Sequence, residues 1–131
     1  MTEIEYRPRF PVDDDELSAL HAKAFGSTAT TIPWARRLER HSLTWIGAFL
    51  GDRLVGFVHV CWDGGAHGFL LDTVVDPDHQ RRGIGRRLAA SAIAEARDGG
   101  CEWLHVDYEA RWDDFYRRCG FGATKAGLLR L

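Results

Sequence analysis

The segment of the chain best suited to chemistry is a glycine-containing loop, Gln80-Arg81-Arg82-Gly83-Ile84-Gly85, between an apolar run and a helical pattern. A strand that enters a helix through such a turn leaves backbone N–H groups unpaired at the helix N-terminus, where the helix dipole is positive. Gly83 and Gly85 let the main chain approach a bulky anion because neither carries a Cβ atom. Positive charge around the turn comes from the arginines Arg81, Arg82, Arg86 and Arg87. The spacing therefore predicts an anion site suited to a diphosphate.

The same residues match neither of two common nucleotide-binding motifs. The dinucleotide fingerprint requires a third glycine three residues after Gly85, and that position is Leu88. The P-loop requires Gly-Lys followed by Ser or Thr, which the loop does not contain. A nucleic-acid patch formed by the arginines is an alternative, and it predicts binding that weakens steeply with salt.

The histidines and cysteines lack the spacing of a metal site. None of the six histidines belongs to a recognised zinc-ligand pattern, His59 beside Cys61 included. The cysteines are odd in number and form no CxxC pair, which indicates neither a disulfide framework nor a zinc knuckle. We therefore expect no metal and a reducing, cytoplasmic location.

Hydrophobic periodicity predicts the elements that hold the loop. Apolar residues recur at helical intervals from Ile84 to Ala96, and Gly99-Gly100 ends that helix. Residues 69–75 form a nearly continuous apolar run, typical of a central strand covered on both faces. Further strands are predicted at 4–10, 44–50, 53–62, 102–107 and 121–131, with helices at about 13–25, 33–41 and 112–119 and a polar connection at 27–31. This order indicates a mixed α/β sheet.

Length and charge limit the fold and its partners. The 131 residues, 45% of them hydrophobic, predict a single domain, 1–131, with its own core. A net charge of -2 gives no general attraction to nucleic acid or to anionic membrane. The first ten residues are polar, and no apolar run approaches the ~18 residues of a membrane span. We expect neither a signal peptide nor a membrane anchor.

The pattern Gln-x-x-Gly-x-Gly, after a strand and a proline, resembles the acetyl-CoA signature of the GCN5-related N-acetyltransferase (GNAT) superfamily. Residues 72–77 look like the family's strand before the loop, residues 54–57 like its third strand, and residues 115–121 like its late helix and Gly-Phe exit. The resemblance covers about the last two-thirds of the chain. It implies an α/β fold in which a mixed central sheet with splayed central strands is flanked by helices.

The resemblance also implies roles for individual residues. In this family the pantetheine arm of acetyl-CoA lies between the splayed strands and hydrogen-bonds to the central strand, a part that falls here to Thr73, Val74 and Val75. Tyr116 matches the family's usual tyrosine, the general acid that protonates the CoA sulfur. The residues that bind the pyrophosphate in this family, its pyrophosphate cradle, correspond here to Arg81, Arg82, Gly83, Ile84, Gly85 and Arg86.

The general base stays open between two carboxylates. Asp72, on the central strand, and Glu109, just before the Tyr116 helix, are both candidates to accept the amine proton directly or through a water. For each of them a solvated or ion-paired side chain is the alternative. Glu109 stands where the family often has Asn, and Trp112 where it often has a small residue, so the acceptor class does not carry over.

The leading hypothesis is N-acetyl transfer from acetyl-CoA to a primary amine of a small molecule or peptide. The alternative is a non-catalytic acyl-CoA-binding or regulatory module that keeps the cradle. Neither requires a metal, a nucleic acid or a membrane. The oligomeric state stays open, with a homodimer among the options.

Overall fold

The computed structural model describes residues 3–28 and 30–131. Met1, Thr2 and Ala29 lie outside the described residues, and with them parts of the N-terminal segment and of the 27–31 connection predicted above. The elements are β1 (Ile4–Pro8), α1 (Asp14–Phe25), α2 (Trp34–His41), β2 (Ser42–Leu50), β3 (Arg53–Trp62), β4 (His67–Val75), α3 (Ile84–Asp98), β5 (Trp103–Val106) and α4 (Asp113–Arg118), with short 3-10 turns at Pro77–His79 and Ala110–Trp112.

The ends of α1 follow from local chemistry. Asp13 accepts a hydrogen bond from the backbone N–H of Glu16 at 3.0 Å, which caps the helix, and acidic side chains fill its first turn. Gly26 ends it with φ 67°, a left-handed conformation that favours glycine. The predicted helix is confirmed here, and its position matters because α1 carries a side chain of the site.

The strands form one mixed sheet in the order β1-β2-β3-β4-β5. The first four are antiparallel, and β5 is parallel to β4 after the α3 crossover. Pairing of β4 with β5 ends at Leu70 opposite Val106, whereas β4 continues to Val75. The two strands therefore separate, which confirms the predicted mixed sheet with splayed central strands flanked by helices.

The core has a layer on each face of the sheet. On one face Leu88 and Ala92 of α3 pack against Val58 of β3, and on the other Leu17 of α1 packs near Trp34 and Phe57. Gly56 of β3 brings α3 close, since a Cβ there would lie 3.0 Å from Leu88 and 3.1 Å from Ile84. This close approach fixes the start of α3, and with it the glycine loop.

A bulge divides β4. Phe57 pairs with Val74 and His59 with Leu71. The stretch of β4 between these pairs therefore contains one residue more than the matching stretch of β3. The extra residue falls around Asp72, whose φ of 55° is in the left-handed region that Asp tolerates better than most residues. As a result Leu70 packs in the α3 layer whereas Val74 packs in the α1 and α2 layer, although they are four residues apart.

Two predictions about the sheet are wrong. Residues 121–131 form no strand, because the glycines and the polar stretch at 122–127 have weak β propensity and β5 pairs only with β4. A groove of about 290 Å³ lies instead between α3, β5 and Phe121. The second wrong prediction is that residues 69–75 are covered on both faces, because the face of β4 away from α3 is open along its first half, where Phe69 is 41% and Leu71 is 39% exposed.

Within residues 3–28 and 30–131, no helix is long and apolar enough to cross a membrane.

Candidate active site

The N-terminus of α3 is open. Gly83 is its N-cap with φ 77°, and no side chain caps the helix. The first backbone hydrogen bond runs from Arg87 N–H to the Gly83 carbonyl at 3.1 Å, so the N–H groups of the three preceding residues, Ile84, Gly85 and Arg86, face out of the helix end. Arg81 has φ 65°, a conformation that costs a non-glycine residue about 1–2 kcal/mol. The loop therefore combines an unfavourable backbone conformation with open N–H groups, an arrangement that suits the binding of an anion.

Arginine side chains surround this helix end. The side chains of Arg81, Arg82 and Arg86 are exposed, and they take part in none of the ion pairs found within the described residues. Arg87 is held differently, with its guanidinium 4.9 Å from the Tyr6 ring. The first turn of α3 contains no acidic residue. Unpaired N–H groups and uncommitted guanidinium groups together fit an anion such as a diphosphate.

The start of the loop is anchored by the buried carboxylate of Asp76. Lys23 Nζ lies 2.9 Å from one oxygen and Arg53 lies 3.3 Å from the other. Burial raises the pKa of Asp76, but the N–H of Asp78 and the charge of Lys23 outweigh it and hold the pKa below its usual range. The ionised carboxylate ties the loop to α1 and β3. No sequence pattern singles out Asp76.

Beyond the bulge, the main chain of β4 borders the opening that separates β4 from β5. Thr73 and Val75 are half-buried, and Val74 is buried in the α1 and α2 layer. In the described sheet this part of β4 has a strand partner on the β3 side only. Gln80 donates from Nε2 to the Val75 carbonyl at 3.3 Å, which joins the loop to the strand end. An extended ligand therefore has access to the β5-facing edge of these residues.

Tyr116 lies buried in α4. Its ring stacks on Tyr108 with centroids 4.6 Å apart and meets Phe115 edge to face at 4.9 Å. Burial raises the pKa of Tyr116 above its ordinary value, and the Thr73 side chain, which approaches the phenol, offsets part of the rise. The phenol therefore keeps its proton at neutral pH. The same contact places Tyr116 beside the bulge of β4.

Asp72 is the centre of a polar cluster. Its Oδ1 lies 2.9 Å from Nε2 of His21 in α1, and its Oδ2 lies 2.8 Å from Nε2 of His59 in β3. Nδ1 of His59 lies in turn 3.0 Å from Oγ of Ser42. We call Ser42, His59, Asp72 and His21 the Asp72 cluster. The bulge positions it, because the extra residue turns Asp72 toward α1.

The charge state of Asp72 fixes the proton positions in the cluster. Burial alone would raise the pKa of Asp72, but the hydrogen bonds and charges of His21 and His59 lower it well below its usual range. Because an ionised carboxylate only accepts, both imidazoles donate from Nε2. Nδ1 of His59 then accepts from the Ser42 hydroxyl. Within the described residues no group of His, Cys, Asp and Glu is arranged to hold a metal ion.

Glu109 lies apart from this cluster in the described contacts. Its side chain is 73% exposed and forms an ion pair with Arg111 at 3.0 Å. Trp112 is exposed as well, and the Arg111 guanidinium lies 5.1 Å from its ring. The structure thus brings Asp72 and Tyr116 together through Thr73, while Glu109 is held at the surface between β5 and α4.

Sequence reasoning misses three members of the cluster. His21 and Ser42 belong to no motif, and His59 enters only as a potential metal ligand. The available signal is the position of His59 between Val58 and Val60 in an apolar strand, where a buried imidazole needs polar partners. The partner at Asp72 depends on a bulge that no local pattern predicts.

We expect Asp72→Asn to lower the stability of the fold in a pH-dependent way. The depressed pKa of Asp72 stabilises the folded state above the pKa of the unfolded carboxyl, near 3.8, and this contribution is lost as pH falls through the folded-state value. Chemical denaturation should show a deficit of about 1–3 kcal/mol near pH 7, shrinking below about pH 5. Asn tolerates the positive φ, so backbone strain does not add to the effect.

Glu102→Gln is the matched control for this measurement. Glu102 is exposed at the start of β5, and a surface substitution there should change stability by no more than about 0.5 kcal/mol. If the Asp72→Asn variant showed the same deficit at pH 3 and at pH 7, that result would contradict the ionic role of Asp72.

Known proteins resemble the chain in sequence and in fold. A model of the acetyltransferase (GNAT) family matches residues 5–121. A glucosamine 6-phosphate N-acetyltransferase of Oryza sativa subsp. japonica is 31% identical over 121 residues, which are 92% of this chain and 64% of the rice protein. A mycothiol acetyltransferase of Rhodococcus erythropolis is 40% identical over 60 residues, which are 46% of this chain and 20% of that relative. The chain thus spans less than two thirds of either curated relative.

The fold is shared with solved structures. A GNAT family acetyltransferase of Streptococcus pneumoniae superposes with a TM-score of 0.80 at 24% sequence identity, and the match covers 98% of both chains.

Proposed function

Because the chain belongs to the acetyltransferase (GNAT) family, we propose that residues 1–131 act as a single N-acetyltransferase domain. The domain moves an acetyl group from acetyl-CoA to a primary amine of a small molecule or peptide. The observation that carries this proposal is the uncapped N-terminus of α3, surrounded by free arginines, beside the gap between β4 and β5. Diphosphate recognition and an opening for an extended arm are what acetyl-CoA requires.

The protein's contribution to the reaction is positioning and proton transfer. The helix end and Arg81, Arg82 and Arg86 hold the diphosphate, and the edge of residues 73–75 aligns the arm. Acetyl-CoA supplies, when bound, an electrophilic thioester carbon. Tyr116 holds a proton for the sulfur, and its raised pKa suits that part because the phenol is protonated before each transfer. A basic group must also take a proton from the amine, and the Asp72 cluster supplies candidates for it directly before Thr73 on β4.

The acceptor side of the site is the open face of β4 and β5. Phe69 and Trp103 are exposed there, and the Phe69 ring stacks on His105 with centroids 4.6 Å apart. Such a surface suits an amine that carries an apolar or aromatic part. The three free cysteines support a reducing cytoplasmic location.

A thiol-release assay tests the proposal. The wild-type protein and acetyl-CoA are incubated with polyamines, aminoglycosides, amino acids, peptides, arylalkylamines and an amino-sugar phosphate, the last because of the rice relative. We expect thiol release with at least one amine, matched by N-acetylated product in the mass spectrum. Binding of CoA in calorimetry without thiol release from any amine would instead identify a binding module. Salt-sensitive retention on DNA or RNA without thiol release would identify the nucleic-acid alternative.

A further inference from the structure

We propose that Nδ1 of His21 is the general base that takes the proton from the acceptor amine, and that Asp72, His59 and Ser42 hold His21 in position. This assignment rests on the proposed acetyl transfer. It names a residue on α1, far in sequence from the glycine loop, that the sequence patterns do not single out.

The hydrogen bonds of the Asp72 cluster leave one ring nitrogen uncommitted. His59 uses both of its nitrogens, Nε2 toward Asp72 and Nδ1 toward Ser42. His21 uses Nε2 toward Asp72, and in the contacts of the described residues its Nδ1 has no partner. In the neutral form of His21, Nε2 carries the proton donated to the carboxylate and Nδ1 carries the lone pair. A lone pair on a neutral imidazole is the usual general base at neutral pH.

Accessibility selects the same residue. The side chain of His21 is 24% exposed, whereas that of His59 is 6% exposed. The His21 ring packs against Phe25, with centroids 4.6 Å apart, and against Trp34, with centroids 5.4 Å apart. These aromatic contacts restrict the ring, and its exposed fraction leaves it accessible to a ligand. An amine can therefore reach His21 but not the imidazole behind Asp72.

The two carboxylate candidates are less suited to the task. Both oxygens of Asp72 are engaged by imidazole N–H groups, and its depressed pKa makes it a weak base. Glu109 is an exposed carboxylate paired with Arg111. Asp72 contributes in another way, because a carboxylate on Nε2 stabilises the imidazolium that forms when Nδ1 takes a proton. In the contacts of the described residues, Asp72 is the charged side chain bonded to His21, and His59 lies on the other oxygen of that carboxylate. Arg37 packs on Trp34, the ring that His21 contacts, with its guanidinium 5.3 Å from the Trp34 ring.

The proton count closes over one turnover. The N–C bond to the acetyl carbon forms as the C–S bond breaks, Nδ1 of His21 receives one proton from the amine nitrogen, and Tyr116 gives one proton to the sulfur. Solvent then takes the proton from His21 and returns one to Tyr116. No oxidant, reductant or metal takes part.

The test is His21→Gln, because a glutamine amide still donates to Asp72 but has no basic nitrogen. With the best acceptor from the panel, we expect kcat to fall at least a hundredfold while the Kd for CoA stays within about twofold. With a hydroxylamine ether as acceptor, which stays neutral across the assay range, the fall of kcat/KM on the acidic side of the wild-type pH profile should disappear in the variant. His59→Gln, which acts through Asp72, should lower kcat less and keep that acidic limb. His41→Gln, at the exposed end of α2, is the control and should behave as wild type.

Different results separate the two proposals. Wild-type kcat in His21→Gln, with an unchanged acidic limb, overturns the base assignment and leaves acetyl transfer standing. No transfer to any amine by the wild type overturns both. If His21→Gln does not fold, the pH profile of kcat/KM is measured for the wild type alone. The acceptor is a hydroxylamine ether, which is neutral across the assay range. An acidic limb between about pH 5 and 8 then supports an imidazole base, and its absence overturns it.

Discussion

Tyr116→Phe should lower kcat by about 10²- to 10³-fold and leave CoA binding intact. The substitution removes only the phenolic oxygen, and the ring keeps its stacking on Tyr108 and its contact with Phe115. The variant then lacks the proton donor proposed for the sulfur, whereas the N-terminus of α3 is unchanged. Steady-state thiol release gives kcat, and calorimetry with CoA gives the Kd, which should stay within about threefold.

Tyr108→Phe is the matched control for loss of a hydroxyl. Tyr108 stacks on Tyr116 but donates its own hydroxyl to Asp113 at 2.9 Å, away from Thr73. We expect its kcat to stay within about threefold of wild type. Equal losses in the two variants would mean that the aromatic pair acts only by packing, and the acid assignment to Tyr116 would be withdrawn.

Gly83→Asp should weaken CoA binding about ten- to a hundredfold relative to Gly83→Asn. Gly83 has φ 77°, and a Cβ atom added to it would have no neighbouring atom within 4 Å, so both side chains fit, and both tolerate the left-handed conformation. The two variants differ only in charge. A carboxylate at this position opposes the positive field that the helix end and the arginines create for an anion.

Calorimetry at about 0.1 M salt measures this difference, and it should narrow as salt is raised because the site is exposed. Thermal unfolding should show the Asp variant to be at least as stable as the Asn variant, because a carboxylate is favourable at a helix N-terminus, so weaker CoA binding cannot be ascribed to unfolding. Equal CoA affinity of the Asp and Asn variants would place the diphosphate elsewhere.

The glycine loop and α3 can be predicted from the sequence because the signals for both lie within the segment itself. Gly83 and Gly85 follow a strand directly, and the helical spacing from Ile84 onward needs no information from the rest of the chain. The same holds for the capped α1. The splay of β4 from β5 is predicted only through the family resemblance, and the structure explains it by the end of pairing at Leu70.

The Asp72 cluster cannot be predicted in this way. His21 and Asp72 are 51 positions apart, and His59 and Asp72 are 13 apart, so their contact depends on how α1 crosses the sheet. The sequence makes Asp72 a candidate because a carboxylate sits on the central strand, but it does not reveal the partners. The strand predicted at 121–131 fails for a related reason: Leu128 and Leu129 look like strand residues, yet in the fold they remain exposed and have no strand beside them.

The extra residue in β4 also sets how the chain tolerates insertions and deletions. Before Asp72 the even-numbered side chains of β4 face α3, and after it they face α1 and α2, as Leu70 and Val74 show. Deleting one residue at 72 or 73 would restore a regular ladder and leave both layers intact, because Leu70 and Val74 would then be three positions apart and would face opposite sides of an unbulged strand. Such a deletion would therefore spare the core but remove the bulge that turns Asp72 toward α1. The alternation of side chains along β4 thus changes face at the bulge, and the candidate site lies at that point.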